Sequence, residues 1–125
     1  MENFIQNSLR TESSEFNSLI SANGTKYSTA RLVHAQMGMQ TETAEFTDAL
    51  KKSLFYGQPL DIVNLKEELG DLMWYMAIAM DELGTNFELE STRVINKLQS
   101  RYPEKFDNTL AKNRNLKAER VILEQ

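Results

Sequence analysis

The 125-residue chain contains no cysteine, which excludes disulfides, thiolate metal sites and thiol nucleophiles together. It has a single histidine, so carboxylates must carry any metal chemistry. Two prolines and five glycines are too few for a sandwich of short strands joined by many tight turns. The longest apolar run, Leu72 to Met80, is about half of what a membrane-spanning helix needs, which argues against a membrane partner. Met1 to Arg10 lacks the basic start and apolar core of a secretory signal. Positive charge is also short: fourteen basic against eighteen acidic residues give a net charge of -4, so polymeric nucleic acid is not an expected partner. With 41% hydrophobic and 26% charged residues, the composition is that of one soluble all-α domain spanning residues 1–125, with a cytoplasmic address.

The periodicity predicts four to five helices. A first runs from about Asn3 to Ile20 on Ile5, Leu9, Phe16 and Ile20, and closes in the polar stretch around Gly24. The second starts after Ser28 as N-cap and continues to about Phe55, where Gly57, Gln58 and Pro59 break it. Asp61 or Asn64 caps the third, the latter through a capping box with Glu67, and Gly84 ends it. Thr85 with Glu88 forms a capping box for a fourth helix that stops near Tyr102 because Pro103 follows. The tail from about Thr109 to Leu123 is a candidate fifth.

What the chain does have is two helix-spaced pairs of acids, Glu42 with Glu45 and Glu68 with Asp71. Side chains three apart on a helix share a face, so each pair concentrates negative charge at one place. If the second and third helices form an antiparallel hairpin about Gly57 to Pro59, Glu45 and Glu68 lie roughly 14 and 11 Å from the turn, and Glu42 and Asp71 roughly 18 and 15 Å. The pairs therefore meet at matching heights. Four acids facing one another repel unless a multivalent cation compensates them, and a hard, oxygen-preferring ion such as magnesium, with manganese as a substitute, fits that need. A di-iron bundle would want Glu-x-x-His pairs, and His34 has no acid three residues before it.

The stretches Gly38-Met39-Gln40-Thr41-Glu42-Thr43-Ala44-Glu45-Phe46, Glu67-Glu68-Leu69-Gly70-Asp71-Leu72-Met73-Trp74-Tyr75, Asn96-Lys97-Leu98 and Arg101-Tyr102-Pro103 resemble the MazG-like nucleotide pyrophosphohydrolases from about Leu32 to Phe106. The resemblance implies a MazG-like helical bundle with its metal site on the hairpin. It also implies magnesium-dependent cleavage of nucleoside triphosphates to monophosphate and pyrophosphate, serving nucleotide-pool housekeeping. Glu42, Glu45, Glu68 and Asp71 would be the catalytic metal ligands. Lys97 and Arg101, with Asn96 assisting, would contact the substrate phosphates. Where some relatives have a lysine before the third-helix acids this chain has Asn64, and where others have an aromatic after the first pair it has Lys52.

Other residues read two ways. Tyr75, four after Asp71, is a substrate-binding candidate for the nucleobase or an ordinary core aromatic, and Trp74 and His34 carry the same ambiguity. Gly38 either admits close approach of a backbone or ligand, or is a tolerated packing glycine. Lys52, seven after Glu45, points to the acidic face. The apolar run Leu72 to Met80 exceeds what one layer of short helices covers, which predicts a homodimer or homotetramer. The competing function is a non-catalytic helical oligomeric interaction protein, with the acids merely solvated.

Overall fold

A computed structural model describes residues 2–13 and 15–125; Met1, and Ser14 of the expected first helix, lie outside the described residues. The fold is all-α, with six helices among the described residues: α1 (Glu2–Leu9), α2 (Thr29–Tyr56), α3 (Ile62–Leu83), α4 (Phe87–Arg101), α5 (Asn108–Lys112) and α6 (Leu116–Leu123). The two dominant packings are α2 against α3 and α6 against α4. Among the described residues no helix is long and apolar enough to cross a membrane.

The central helices end where their local chemistry dictates. The Ser28 hydroxyl accepts from the Arg31 amide to open α2, and Gly57, at φ 66°, closes it by donating to the Lys52 carbonyl. Pro59 follows, as it commonly does just past a glycine cap. Asp61 caps α3 by accepting from the amides of Val63 and Asn64, both at 3.0 Å. Asn64 therefore lies inside the helix rather than opening it, which frees its side chain for another task.

Three expected boundaries are corrected. The first helix stops at Leu9 instead of reaching Ile20, because serine and threonine side chains bond their own backbone there: Ser8 Oγ donates to the Phe4 carbonyl at 2.9 Å and Thr11 Oγ1 to the Ser8 carbonyl at 3.1 Å. The chain then turns about Gly24, φ 84°, with an isolated antiparallel bridge between Ile20 and Lys26. The N-cap of α4 is Asn86, not Thr85: Asn86 accepts from the Leu89 amide at 3.0 Å, while the Thr85 hydroxyl donates to Glu90. The tail is two helices rather than one. Asn113 turns back on the Thr109 carbonyl at 3.1 Å, and Asn115 caps a new start by accepting from the Ala118 amide at 3.1 Å.

The α2–α3 hairpin holds one antiparallel register along its length. Arg31 pairs with Asp81 and Glu82 at 2.7 and 2.8 Å at the open end, Gly38 lies against Tyr75, and Glu42 meets Asp71 nearer the turn. Each step along α2 is matched by an equal step back along α3. Ala35 is the fully buried apolar side chain of this seam, and Gly38 is buried beside it. The outer surfaces are apolar but open: Leu54 is 77% exposed, Phe55 73% and Trp74 58%.

Close approach at Gly38 is real. A Cβ built there would stand 2.1 Å from the Tyr75 ring, far inside contact distance. Gly38→Ala should therefore destabilise the protein by about 1–3 kcal/mol, the usual cost of overpacking, instead of gaining the ~1 kcal/mol that alanine brings to an open helix site. Denaturant unfolding checks this; a variant as stable as wild type would mean the ring moves aside freely.

The contact between α4 and α6 is centred on Glu119, 4% exposed, which accepts from both Arg101 and Arg114. These guanidinium bonds hold its carboxyl down at about 2. A depressed carboxyl stabilises the fold above its ordinary value near 4.5 and ceases to do so as pH falls toward 2. Accordingly, the gap in melting temperature between wild type and Glu119→Gln should be open near neutral pH and close as pH 2 is approached. A gap independent of pH would show that the charge on Glu119 contributes nothing.

Candidate functional site

The hairpin register brings acids from both helices to one place. One carboxylate oxygen each of Glu42, Glu68 and Asp71 lie within 4.8 Å of one another. Glu68 is buried at 3% exposure, Glu42 is half-buried and Asp71 is exposed, so the group forms a step from the helix seam out to solvent. Glu45, the fourth acid singled out by spacing, is exposed and stands outside this trio. One turn nearer the hairpin end, it acts on Glu42 through charge alone.

Two side chains prepare the acids. Asn64 Nδ2 donates to Glu68 Oε1 at 2.6 Å, a bond made possible because Asp61 begins the helix early enough to put Asn64 and Glu68 four apart on one face. The Thr41 hydroxyl shares its proton between the Gly38 carbonyl at 2.8 Å and Glu42 Oε1 at 3.3 Å. The Glu42 carboxyl is nevertheless pushed above its ordinary range. Desolvation is the main cause, Glu45 and Asp71 add like charge, and Glu68 favours the protonated form by sharing a hydrogen bond; only Thr41 opposes them.

This donor set fits a hard divalent cation. All the ligands offered are carboxylate oxygens, the type that magnesium and manganese prefer. An ion with oxygen ligands about 2.1 Å away spans oxygens up to about 4.2 Å apart, so a trio inside 4.8 Å closes on one with a small side-chain rotation. The charge balance points the same way, since a cation would offset the like charge that Glu45 and Asp71 add to the desolvated Glu42.

One turn beyond the acids, the half-buried Tyr75 ring sits on Gly38. His34 and Trp74 meet it edge-on, with ring centroids at 5.8 and 4.9 Å. What approaches Gly38 is thus a side chain rather than a backbone. Lys52, which spacing directed to the acidic face, pairs with Asp48 at 2.6 Å on its own helix and also feels the charge of Glu45.

Of the residues expected to meet phosphate, all three lie on α4. Lys97 is half-buried. Asn96 is exposed and borders a shallow groove with Ile122 and Gln125, and so faces the C-terminal segment. Arg101 turns to α6, with Nε 2.8 Å from Glu119 Oε1 and Nη2 2.6 Å from Oε2. Glu90 and Arg93 share a groove of about 510 Å³ with Met76, Met80 and Leu83, so the first half of α4 borders the last turns of α3. Spacing overlooked Asn64 as a partner of Glu68, although their separation of four was a usable signal. Nothing in the sequence announced that Glu119 and Arg114 would gather around Arg101.

A family model described as the MazG nucleotide pyrophosphohydrolase domain matches residues 34–106, more than half of the chain, and includes Glu42, Glu45, Glu68 and Asp71. Searches of curated proteins and of solved structures return no match.

If Asn64 holds Glu68 ready for a cation, Asn64→Ala should weaken manganese or magnesium binding by about 10–100-fold, the usual effect of removing a residue that orients a ligand. Titration calorimetry reads this directly, and unaltered affinity would remove Asn64 from the site.

Proposed function

Because the chain belongs to the MazG nucleotide pyrophosphohydrolase domain family, we propose that it hydrolyses deoxy- or ribonucleoside triphosphates to monophosphate and pyrophosphate with magnesium. The observation that carries this reading is the convergence of Glu42, Glu68 and Asp71 oxygens inside 4.8 Å on the matched segment. The elements of water add across the anhydride between the α and β phosphates, so no oxidant or covalent enzyme intermediate is needed. Glu42, Glu68 and Asp71 would hold magnesium, with manganese as a substitute. When bound, the cation neutralises triphosphate oxygens and lowers the pKa of water.

The remaining steps belong to the chain's own groups. Glu45, exposed and one turn from Glu42, is free to complete the ligand set or to accept the proton of the attacking water. Lys97 and Arg101 oppose the charge that develops on departing pyrophosphate, with Asn96 as a neutral donor beside them. Tyr75, fixed between Gly38 and its two aromatic neighbours, offers an edge for the nucleobase next to the acids. On this reading all 125 residues act as one cytoplasmic domain with a housekeeping role in the nucleotide pool.

The open apolar surfaces give the non-catalytic alternative its one supporting observation. They are equally met by a homodimer or homotetramer that buries them while leaving the acids accessible. Catalysis and assembly are therefore compatible, and turnover separates the two functions.

Wild-type protein should convert triphosphate to monophosphate and pyrophosphate in magnesium and stop when the ion is chelated. Glu68→Gln and Asp71→Asn should each lower kcat/KM by about 100-fold or more, at the upper end of what disturbing a metal site costs. Product analysis by ion-exchange chromatography is the check. Full turnover in chelator, or in both variants, would sink this function.

A further inference from the structure

Glu119 lies beyond the residues matched by the family model, yet it is among the least exposed side chains described and touches a proposed phosphate-binding residue. Its carboxylate is gripped by two guanidinium groups in the same manner. Arg101 gives Nε to Oε1 and Nη2 to Oε2 at 2.8 and 2.6 Å; Arg114 makes the same two contacts at 3.4 and 2.6 Å. In each case the carboxylate takes the side edge of the guanidinium, and Arg101 also interacts with the side chain of Tyr102, its central carbon 5.6 Å from that ring. Two cations on one anion also leave the cluster with net positive charge, so Arg101 is ordered without the cluster being neutralised. Its side chain is only 15% exposed, against 44% for Arg114, and so Arg101 is the more firmly seated.

We infer that Glu119 is a positioning residue: it fixes the Arg101 guanidinium in one orientation for its meeting with the polyphosphate, making α6 a working part of the phosphate site. This inference rests on the proposed pyrophosphohydrolase activity and goes beyond it in giving the C-terminal helix a task. A long arginine left to itself loses rotamer freedom when it binds phosphate, and a carboxylate that has already ordered it removes that cost.

Charge and position make opposite demands on this residue, which supplies the test. Glu119→Gln removes a negative charge and adds to the local positive field, so simple attraction would tighten anion binding. Loss of positioning weakens it. With the full chain in magnesium, inorganic pyrophosphate should inhibit Glu119→Gln with a Ki about tenfold above wild type, comparable to losing an orienting contact. KM should rise in step and kcat fall less. In an Arg101→Ala background the same change should have no further effect on Ki, since the residue acts only through Arg101. Glu119→Asp keeps the charge but withdraws it by one methylene, and should move Ki in the same direction by less; it carries the test if the glutamine variant does not fold.

An unchanged or lowered Ki in folded Glu119→Gln, or an equal effect with and without Arg101, would overturn the inference and leave Glu119 as a structural tie. Those results keep wild-type turnover intact and so are distinct from failure of the function itself. That failure would appear as wild-type protein inert toward every triphosphate in magnesium, and it would take this inference with it.

Discussion

Everything at the candidate site depends on how closely α2 and α3 can approach. Carboxylates do not gather by their own preference, and the Glu42 carboxyl is raised first by desolvation and then by the like charge of Glu45 and Asp71. What holds them together is packing one turn away, where a glycine without a side chain accepts the Tyr75 ring. The Arg31 ion pairs fasten the open end of the hairpin, and Gly57 and Asp61 fix its turn. Local caps thus decide the register, the register decides which faces meet, and meeting faces make a place where negative charge is concentrated.

Much of this was legible in the sequence, and the reason is physical. Helical spacing fixes the face a side chain occupies, and the rise per residue fixes its height, so convergence of Glu42 with Glu68 and Asp71 followed from arithmetic once a hairpin was assumed. The glycine and proline signals between α2 and α3 were strong enough to support that assumption. Face and height do not specify which neighbour a flexible side chain selects. Glu45 shares a face with Glu42 yet lies outside the trio, and Lys52 makes its ion pair with Asp48 while reaching Glu45 through charge alone. The terminal segments escaped for another reason: their serines, threonines and asparagines bond to nearby backbone as readily as a helix would, so apolar periodicity overstated their helical length.

The two ends of Asn64 illustrate how a small shift in a boundary changes chemistry. Had Asn64 capped α3, its side chain would be occupied with backbone amides. With Asp61 in that role, the helix begins sooner and Asn64 becomes a donor to the most buried of the acids. The amide dipole can orient Glu68 without cancelling its charge, where a lysine at this position would pair with it. A neutral donor therefore keeps more of the negative field available to a cation, at some loss of attraction for phosphate at that point.

That loss shifts demand for positive charge onto α4 and its neighbours. Lys97 is half-buried on α4, while the guanidinium groups of Arg101 and Arg114 are concentrated around Glu119. The resulting division is one of sign: the hairpin gathers carboxylates, and the α4–α6 unit gathers cations around a single buried anion. Because the two units are joined by the short connection through Gly84 to Asn86, their relative position is set by few residues. A polyphosphate with its cation would bridge opposite charges across that junction, so binding would couple two parts of the fold that otherwise pack chiefly within themselves.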